Sequence, residues 1–237
     1  MKKDIILYTE NLQKHFGLDA GFFAKKNKQV YAVNGVSFEI ERGKTYGLVG
    51  ESGCGKTTTA RLLVRMYNAD SGKIYFNPQE KTEPIEVANL DKKALSAYRE
   101  KVKYIFQDPS RSLNPRMTIA SILSSPLKYS SHWQGKEQAR EKATELLEEI
   151  GLDKADLDRR PQEFSGGQRQ RISIARGLIL EPELLICDEV VSALDVSVQA
   201  QILNLLQDLR KKRGLSFLFI AHDLKVSCYF CDTIGVM

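Results

Sequence analysis

A chain of 237 residues holds one large or two small domains with a sizeable buried core, and its 42% hydrophobic and 27% charged residues exclude the disordered, collagen-like and coiled-coil classes. The net charge is only +5, and the basic runs Lys25-Lys26 and Lys211-Lys212-Arg213 are short and separated. They read as solvated faces, without the continuous stripe of a nucleic-acid binder, so no nucleic-acid partner is expected. No apolar run approaches the roughly 18 residues that span a bilayer, and the opening MKKDIILYTEN breaks its apolar stretch too early for a signal peptide, which predicts a cytosolic chain. Cys54, Cys187, Cys228 and Cys231 are scattered, which suits reduced thiols better than a disulfide framework. Cys228 and Cys231 have the spacing of half a metal site but no second half, so they are expected to be packed helical thiols and not ligands.

In chain order, apolar and β-branched segments predict strands over 30 to 40, 44 to 49, 102 to 106, 184 to 187 and 216 to 221, which read as one sheet. A helix is expected from Thr58 to Met66. Another spans 136 to 150, where Ala139, Ala143, Leu146, Leu147 and Ile150 recur at helical spacing before Gly151. A third runs from Gln199 to Arg213. Strands alternating with helices predict a parallel sheet covered by helices, while 108 to 180 has almost no strand signal and reads as a helical insertion. Gly17 to Gln29 reads as a further insertion, and His15 and His132 are expected in loops.

The strongest chemical signal is Gly50-Glu51-Ser52-Gly53-Cys54-Gly55-Lys56-Thr57, between the strand Thr45 to Val49 and the helix that begins at Thr58. This is a P-loop in its required context. Its glycines let the backbone fold around phosphates, so that successive N–H groups and the helix start receive negative oxygens. Gly50 through Thr58 are predicted to hold a nucleotide's phosphates. Lys56 adds a cation, and the Thr57 hydroxyl suits Mg²⁺, which bridges β- and γ-phosphates. The second element is Leu184-Leu-Ile-Cys-Asp188-Glu189, an apolar strand delivering two acids at the carboxyl end of the sheet, where α/β proteins bind ligands. Asp188 is expected to hold Mg²⁺ through water, and Glu189 to act as general base on the attacking water.

A third element is Phe164-Ser165-Gly166-Gly167-Gln168-Arg169-Gln170, ahead of the helical residues Ile172, Ala175, Leu178 and Ile179. A capping hydroxyl and free N–H groups make this a second phosphate site. With Gln107 in Ile-Phe-Gln-Asp-Pro, Ser192-Ala-Leu-Asp195 and His222 after Phe217 to Ala221, the order of motifs resembles the ABC ATPase family over most of the chain. The resemblance implies an α/β P-loop NTPase core with a parallel RecA-like subdomain and an antiparallel β-subdomain, formed by 1-107 and 181-237. Residues 108-180 would be the inserted helical subdomain.

It further implies that Ser165, Gly166, Gly167 and Gln168 of one subunit close on the ATP held by the P-loop of another. Gln107 would sense the γ-phosphate and Mg²⁺, His222 would orient the water, and an aromatic would stack on adenine: Phe16, with Tyr31 as rival. Phe106-Gln107-Asp108-Pro109 running into Ser112-Leu-Asn-Pro-Arg116, and the run from Val191 to Gln201, are similar to the ATPases of oligopeptide and dipeptide permeases. That implies ATP hydrolysis on the cytoplasmic face of a bacterial or archaeal membrane. The implied partners are transmembrane permease subunits, a second ATPase subunit in a hetero- or homodimer and, indirectly, an extracytoplasmic substrate-binding protein. Soluble ABC ATPases of DNA repair or the ribosome share the phosphate motifs, but no coiled coil or second cassette is present in this sequence. Two departures stand out. Val190 follows Glu189 where the family commonly has proline, which is expected to loosen the turn, and the end at Met237 within a predicted strand reads as a truncation.

Overall fold

Two β-sheets and eight α-helices organise the residues described by the computed structural model, 4–17, 29–79 and 83–237. The smaller sheet is antiparallel. In it β1 (Ile5–Gly17) lies between β2 (Gln29–Glu41) and β4 (Ser71–Phe76), and β5 (Ile85–Glu86) pairs with β4 on the outside. The larger sheet is parallel throughout, in the order β6 (Val102–Ile105), β7 (Leu184–Asp188), β8 (Ser216–Ala221), β3 (Thr45–Val49), β9 (Thr233–Val236).

Every residue of β7 and β8 is buried, as their unbroken apolar runs require of strands covered on both faces. Successive side chains point to opposite faces. Leu185, Cys187, Phe217 and Phe219 therefore join one core with α6 (Gly166–Leu178) and α7 (Val196–Arg213). Leu184, Ile186, Leu218 and Ile220 join the other, with α1 (Lys56–Leu63), α2 (Lys92–Lys101) and the antiparallel sheet.

Residues 108–180 hold α3 (Pro109–Ser112), α4 (Ile119–Lys128), α5 (Lys136–Glu149), α6 and two short 3-10 turns, with no strand. α5 buries Ala139, Ala143, Leu146 and Leu147 on one stripe and is followed by Gly151 at φ 75°. α7 starts earlier than its apolar periodicity suggests, because Asp195 caps it by accepting the Val198 N–H at 3.0 Å. α1 stops earlier, at Leu63, before Arg65 turns to a positive φ.

Three expectations need correction. The strand expected over 30 to 40 forms as β2 but sits in the antiparallel sheet, so the strands do not make one sheet. Its alternating burial after Val33 is that of a sheet with one solvated face, unlike the fully buried β7 and β8. His15 is not in a loop: it lies in β1 and donates its backbone N–H to Asp70 at 2.6 Å. β1 escaped the periodicity because Thr9, Glu10, Asn11, Gln13 and Lys14 break its apolar alternation and its register with β2 shifts at several points. Cys228 on α8 (Leu224–Phe230) is exposed and not packed, whereas Cys231 just beyond is partly buried and its thiol is pushed up to about 12 by burial. His132 does lie in a turn. Gly17 and Gln29 pair where β1 and β2 are joined by the rest of that insertion, which lies outside the described residues, Lys25 and Lys26 included.

Candidate nucleotide site

The P-loop leaves β3 at Val49 and re-enters regular structure at Lys56, the first residue of α1. Gly55 caps that helix at φ 109°, and a Cβ there would stand 2.1 Å from the Ala32 carbonyl oxygen of β2. Only glycine lets the loop pass so close beneath the antiparallel sheet. No side chain caps α1 and its first turn holds no acid, so the helix start presents N–H groups and a positive dipole end to an anion. Lys56 is only 3% exposed. Its Nζ donates to the carbonyl oxygens of Gly50 and Glu51, each at 2.8 Å, and so arches over its own loop.

One residue on, the Thr57 hydroxyl donates to Asp188 Oδ1 at 3.0 Å, joining the P-loop to the end of β7. Asp188 is 4% exposed, and its other oxygen, Oδ2, accepts the hydroxyl of Tyr104 on β6. Burial, with the Asp188 charge adding to it, pushes the Tyr104 hydroxyl above the ordinary tyrosine range, so it stays a donor. Glu189 adopts φ 52°, a left-handed conformation that costs a side-chain-bearing residue about 1 kcal/mol. The surroundings over-determine it. Its N–H donates to the Ile220 carbonyl at 3.0 Å, and its own carbonyl accepts both the Ser192 N–H at 3.1 Å and the Ser192 hydroxyl at 2.9 Å. The turn is thus closed by Ser192 and by buried Val190, which corrects the looser turn expected from the missing proline. The Glu189 carboxylate accepts Gln107 Nε2 at 2.8 Å on one oxygen and meets His222 Nε2 with the other.

Thr57, Asp188 and Gln107 also line a cavity of about 360 Å³, together with Arg61, Phe106, Asp108 and Ser112. Hydroxyl, carboxylate and amide oxygens are hard donors that suit Mg²⁺ better than a thiophilic metal. Among the described residues no three His, Cys, Asp or Glu side chains converge as a ready-made cage. The residues therefore fit an ion held by one carboxylate, one hydroxyl and the oxygens of a substrate, the usual manner of Mg²⁺.

Ser165 to Gln168 stand apart from this constellation. The Ser165 Oγ accepts the Gln168 N–H at 3.3 Å and the Gln168 side chain accepts the Ser165 N–H at 2.9 Å, a reciprocal capping box at the start of α6. Ser165 is exposed, while Gly167 is pressed onto α7: a Cβ there would lie 2.5 Å from Val198 Cγ1. Of the two aromatics, Phe16 meets Tyr67 edge-on at 5.4 Å with Lys14 over its ring. Tyr31 is 63% exposed beside His15 and shares a cavity of about 420 Å³ with Cys54 of the P-loop.

Two residues at the site were not foreseen: Tyr104, and Arg61, which donates to the Tyr67 hydroxyl at 3.3 Å and lines the same cavity as Thr57 and Asp188. A signal existed. Arg61 sits one helical turn after Thr57, and Tyr104 lies on the strand that neighbours β7, in register with Ile186.

A strand–loop–helix with glycine-cradled lysine and a carboxylate strand beside it defines a P-loop nucleotide-binding fold. The sequence pattern of the ABC transporter family matches residues 33–192, and the chain belongs to that family. Oligopeptide transport ATP-binding protein OppF of Bacillus subtilis (strain 168) is 46% identical over 232 residues, spanning 98% of this chain and 72% of its own length. Dipeptide transport ATP-binding protein DppF of Escherichia coli (strain K12) is also 46% identical over 232 residues, 98% of this chain and 67% of its own. Among solved structures, a dimeric ATP-binding cassette in a post-hydrolysis state with ADP and Pi superposes with a TM-score of 0.81 at 26% identity, over 98% of this chain and 94% of that one. The fold is that of an ABC ATPase cassette. Among the described residues no helix is long and apolar enough to cross a membrane.

Proposed function

We propose that the chain is the ATP-hydrolysing subunit of an ABC importer for oligopeptides or dipeptides, working at the cytoplasmic face of the membrane on separate permease subunits. The observation that carries the reading is the Glu189 carboxylate, held between Gln107 and His222 at the end of β7, beside a P-loop tied to Asp188 through Thr57. The peptide cargo rests on the relatives, two of which are named for oligopeptide and dipeptide transport.

In this reading Gly50 through Thr58 wrap the phosphates of ATP, and Lys56 turns from its two loop carbonyls to the β- and γ-phosphate oxygens. Bound Mg²⁺ supplies charge neutralisation to the β- and γ-phosphates, with Thr57, Gln107 and Asp188, the last through water, as its protein partners. Glu189 accepts the proton of the attacking water, and His222 and Gln107 set the direction of its carboxylate and of the water. An aromatic of the β1–β2 hairpin, Phe16 or Tyr31, stacks on adenine. Ser165, Gly166, Gly167 and Gln168 complete the site of a second cassette, so that ATP itself supplies the contacts that favour a closed dimer and hydrolysis removes them. The helical segment 108–180 then carries that change to the permease.

Sedimentation of Glu189→Gln with and without Mg²⁺ and ATP tests this directly. A shift from monomer to dimer on adding ATP supports a site shared between two cassettes. A protein that binds ATP yet stays monomeric at every concentration contradicts sharing between two copies and leaves a different second ATPase subunit as the partner.

A further inference from the structure

Asp188 is a two-oxygen ligand with only one oxygen facing the P-loop. Oδ1 accepts from Thr57, the residue placed on Mg²⁺ above, at 3.0 Å. Oδ2 is turned the other way and is taken by the Tyr104 hydroxyl. Asp188 is 4% exposed, so water cannot freely replace a lost donor, and without one the carboxylate would be left partly unsatisfied. Tyr104 is itself aimed. It lies in β6, which pairs in register with β7, so its place beside Asp188 is fixed by the sheet, and nearby Arg61 donates to the Tyr67 hydroxyl at 3.3 Å. Tyr67 in turn abuts Phe16, one of the two aromatics assigned to the base. A hydroxyl has one proton to give. The carboxylate of Asp188 can only accept, so that proton is directed at Oδ2.

We propose that Tyr104 is a positioning residue for the metal–nucleotide complex: its hydroxyl holds Asp188 Oδ2 so that Oδ1 faces the Thr57 hydroxyl and the ion. The inference rests on the nucleotide reading above and adds to it a residue that touches neither nucleotide nor ion. Thr57 and Asp188 meet in any packing that brings the P-loop to β7, but a carboxylate held only at Oδ1 is free to rotate about its terminal bond. The Tyr104 bond fixes that rotation before the ion arrives, and preorganisation of this kind appears as tighter metal-dependent binding.

The test compares wild type and Tyr104→Phe by calorimetric titration with ATP in excess EDTA and again across a Mg²⁺ series, with thermal unfolding of each protein. Tyr104→Phe keeps the ring and its packing. Expected are an EDTA affinity within about twofold of wild type and a Mg²⁺-dependent gain in affinity smaller by about ten- to a hundredfold, the worth of one hydrogen bond to a charged group. Equal weakening with and without Mg²⁺ would mean that Tyr104 is merely structural, and an unchanged Mg²⁺ response in Tyr104→Phe would remove the assignment outright. Either result leaves the nucleotide reading intact if wild type binds ATP in the same titration. Absence of binding by wild type overturns that reading, and the Tyr104 proposal with it.

Discussion

The P-loop end of the parallel sheet and the start of α6 both present a helix start at a glycine-rich turn, yet they are finished to different degrees. At the first, Lys56, Asp188 and Glu189 are buried and each is bonded to residues distant in sequence or across its own loop. At the second, Ser165 is exposed and the capping box joins only Ser165 and Gln168. One region has its bonded neighbours across the chain, and the other has an exposed serine whose side chain caps only its own helix. The contrast teaches that a polar motif can be complete as a helix cap without being tied to the rest of the chain, which is what the proposed sharing of a site between two cassettes requires.

Lys56→Ala should break the finished region most severely. It removes two charge-assisted hydrogen bonds to phosphate worth about 1.5–3 kcal/mol each, so ATP affinity measured by titration should fall about a hundredfold or more. Ser165→Ala acts on the open region and should divide the two: loss of the cap costs about 1 kcal/mol of stability in chemical denaturation, ATP affinity of the isolated chain is unchanged, and turnover of the assembled cassettes falls. Equal loss of affinity in both variants would erase the distinction.

Gly167→Ala probes how the open region is seated. Its Cβ would overlap Val198, which should cost about 1–3 kcal/mol in the same denaturation experiment, and Val198→Ala should recover much of it as a coupling between the two positions. A pH-dependent effect is expected at Lys103, on β6. Burial lowers its amine from the ordinary 10.5 to about 8, opposed by Glu100 and reinforced by Arg176. The unfolded chain therefore binds this proton more tightly than the folded one, and stability from this group rises with pH between about 8 and 10.5. Lys103→Met should raise the melting temperature at pH 7 and lose that advantage as pH approaches 10.5. An advantage independent of pH would place its origin in packing.

The finished region was legible in the sequence because its chemistry is local: glycine spacing, a lysine and an apolar strand ending in two acids are read without knowing what lies opposite. The parallel strands were legible for a related reason, since burial on both faces leaves unbroken apolar runs such as Leu184 to Cys187. The antiparallel sheet was not legible in the periodicity and was expected only through the family resemblance. β1 is half polar and shifts register, and β4 is short and starts with Ser71, Gly72 and Lys73, so neither alternates cleanly. Tyr104 and Arg61 escaped because their role depends on which strand adjoins β7 and which face of α1 meets it. Val190 shows the converse: a departure that looked weakening on the page is absorbed by Ser192 bonding back to the Glu189 carbonyl.

The central claim is that this chain hydrolyses ATP with Glu189 as the base, and it is tested most directly by ATP titration and steady-state turnover of Glu189→Gln beside wild type in Mg²⁺. The account predicts retained ATP binding with turnover reduced about a hundredfold or more, the usual worth of a general base. Undiminished turnover in Glu189→Gln, or failure of either protein to bind ATP, would contradict it.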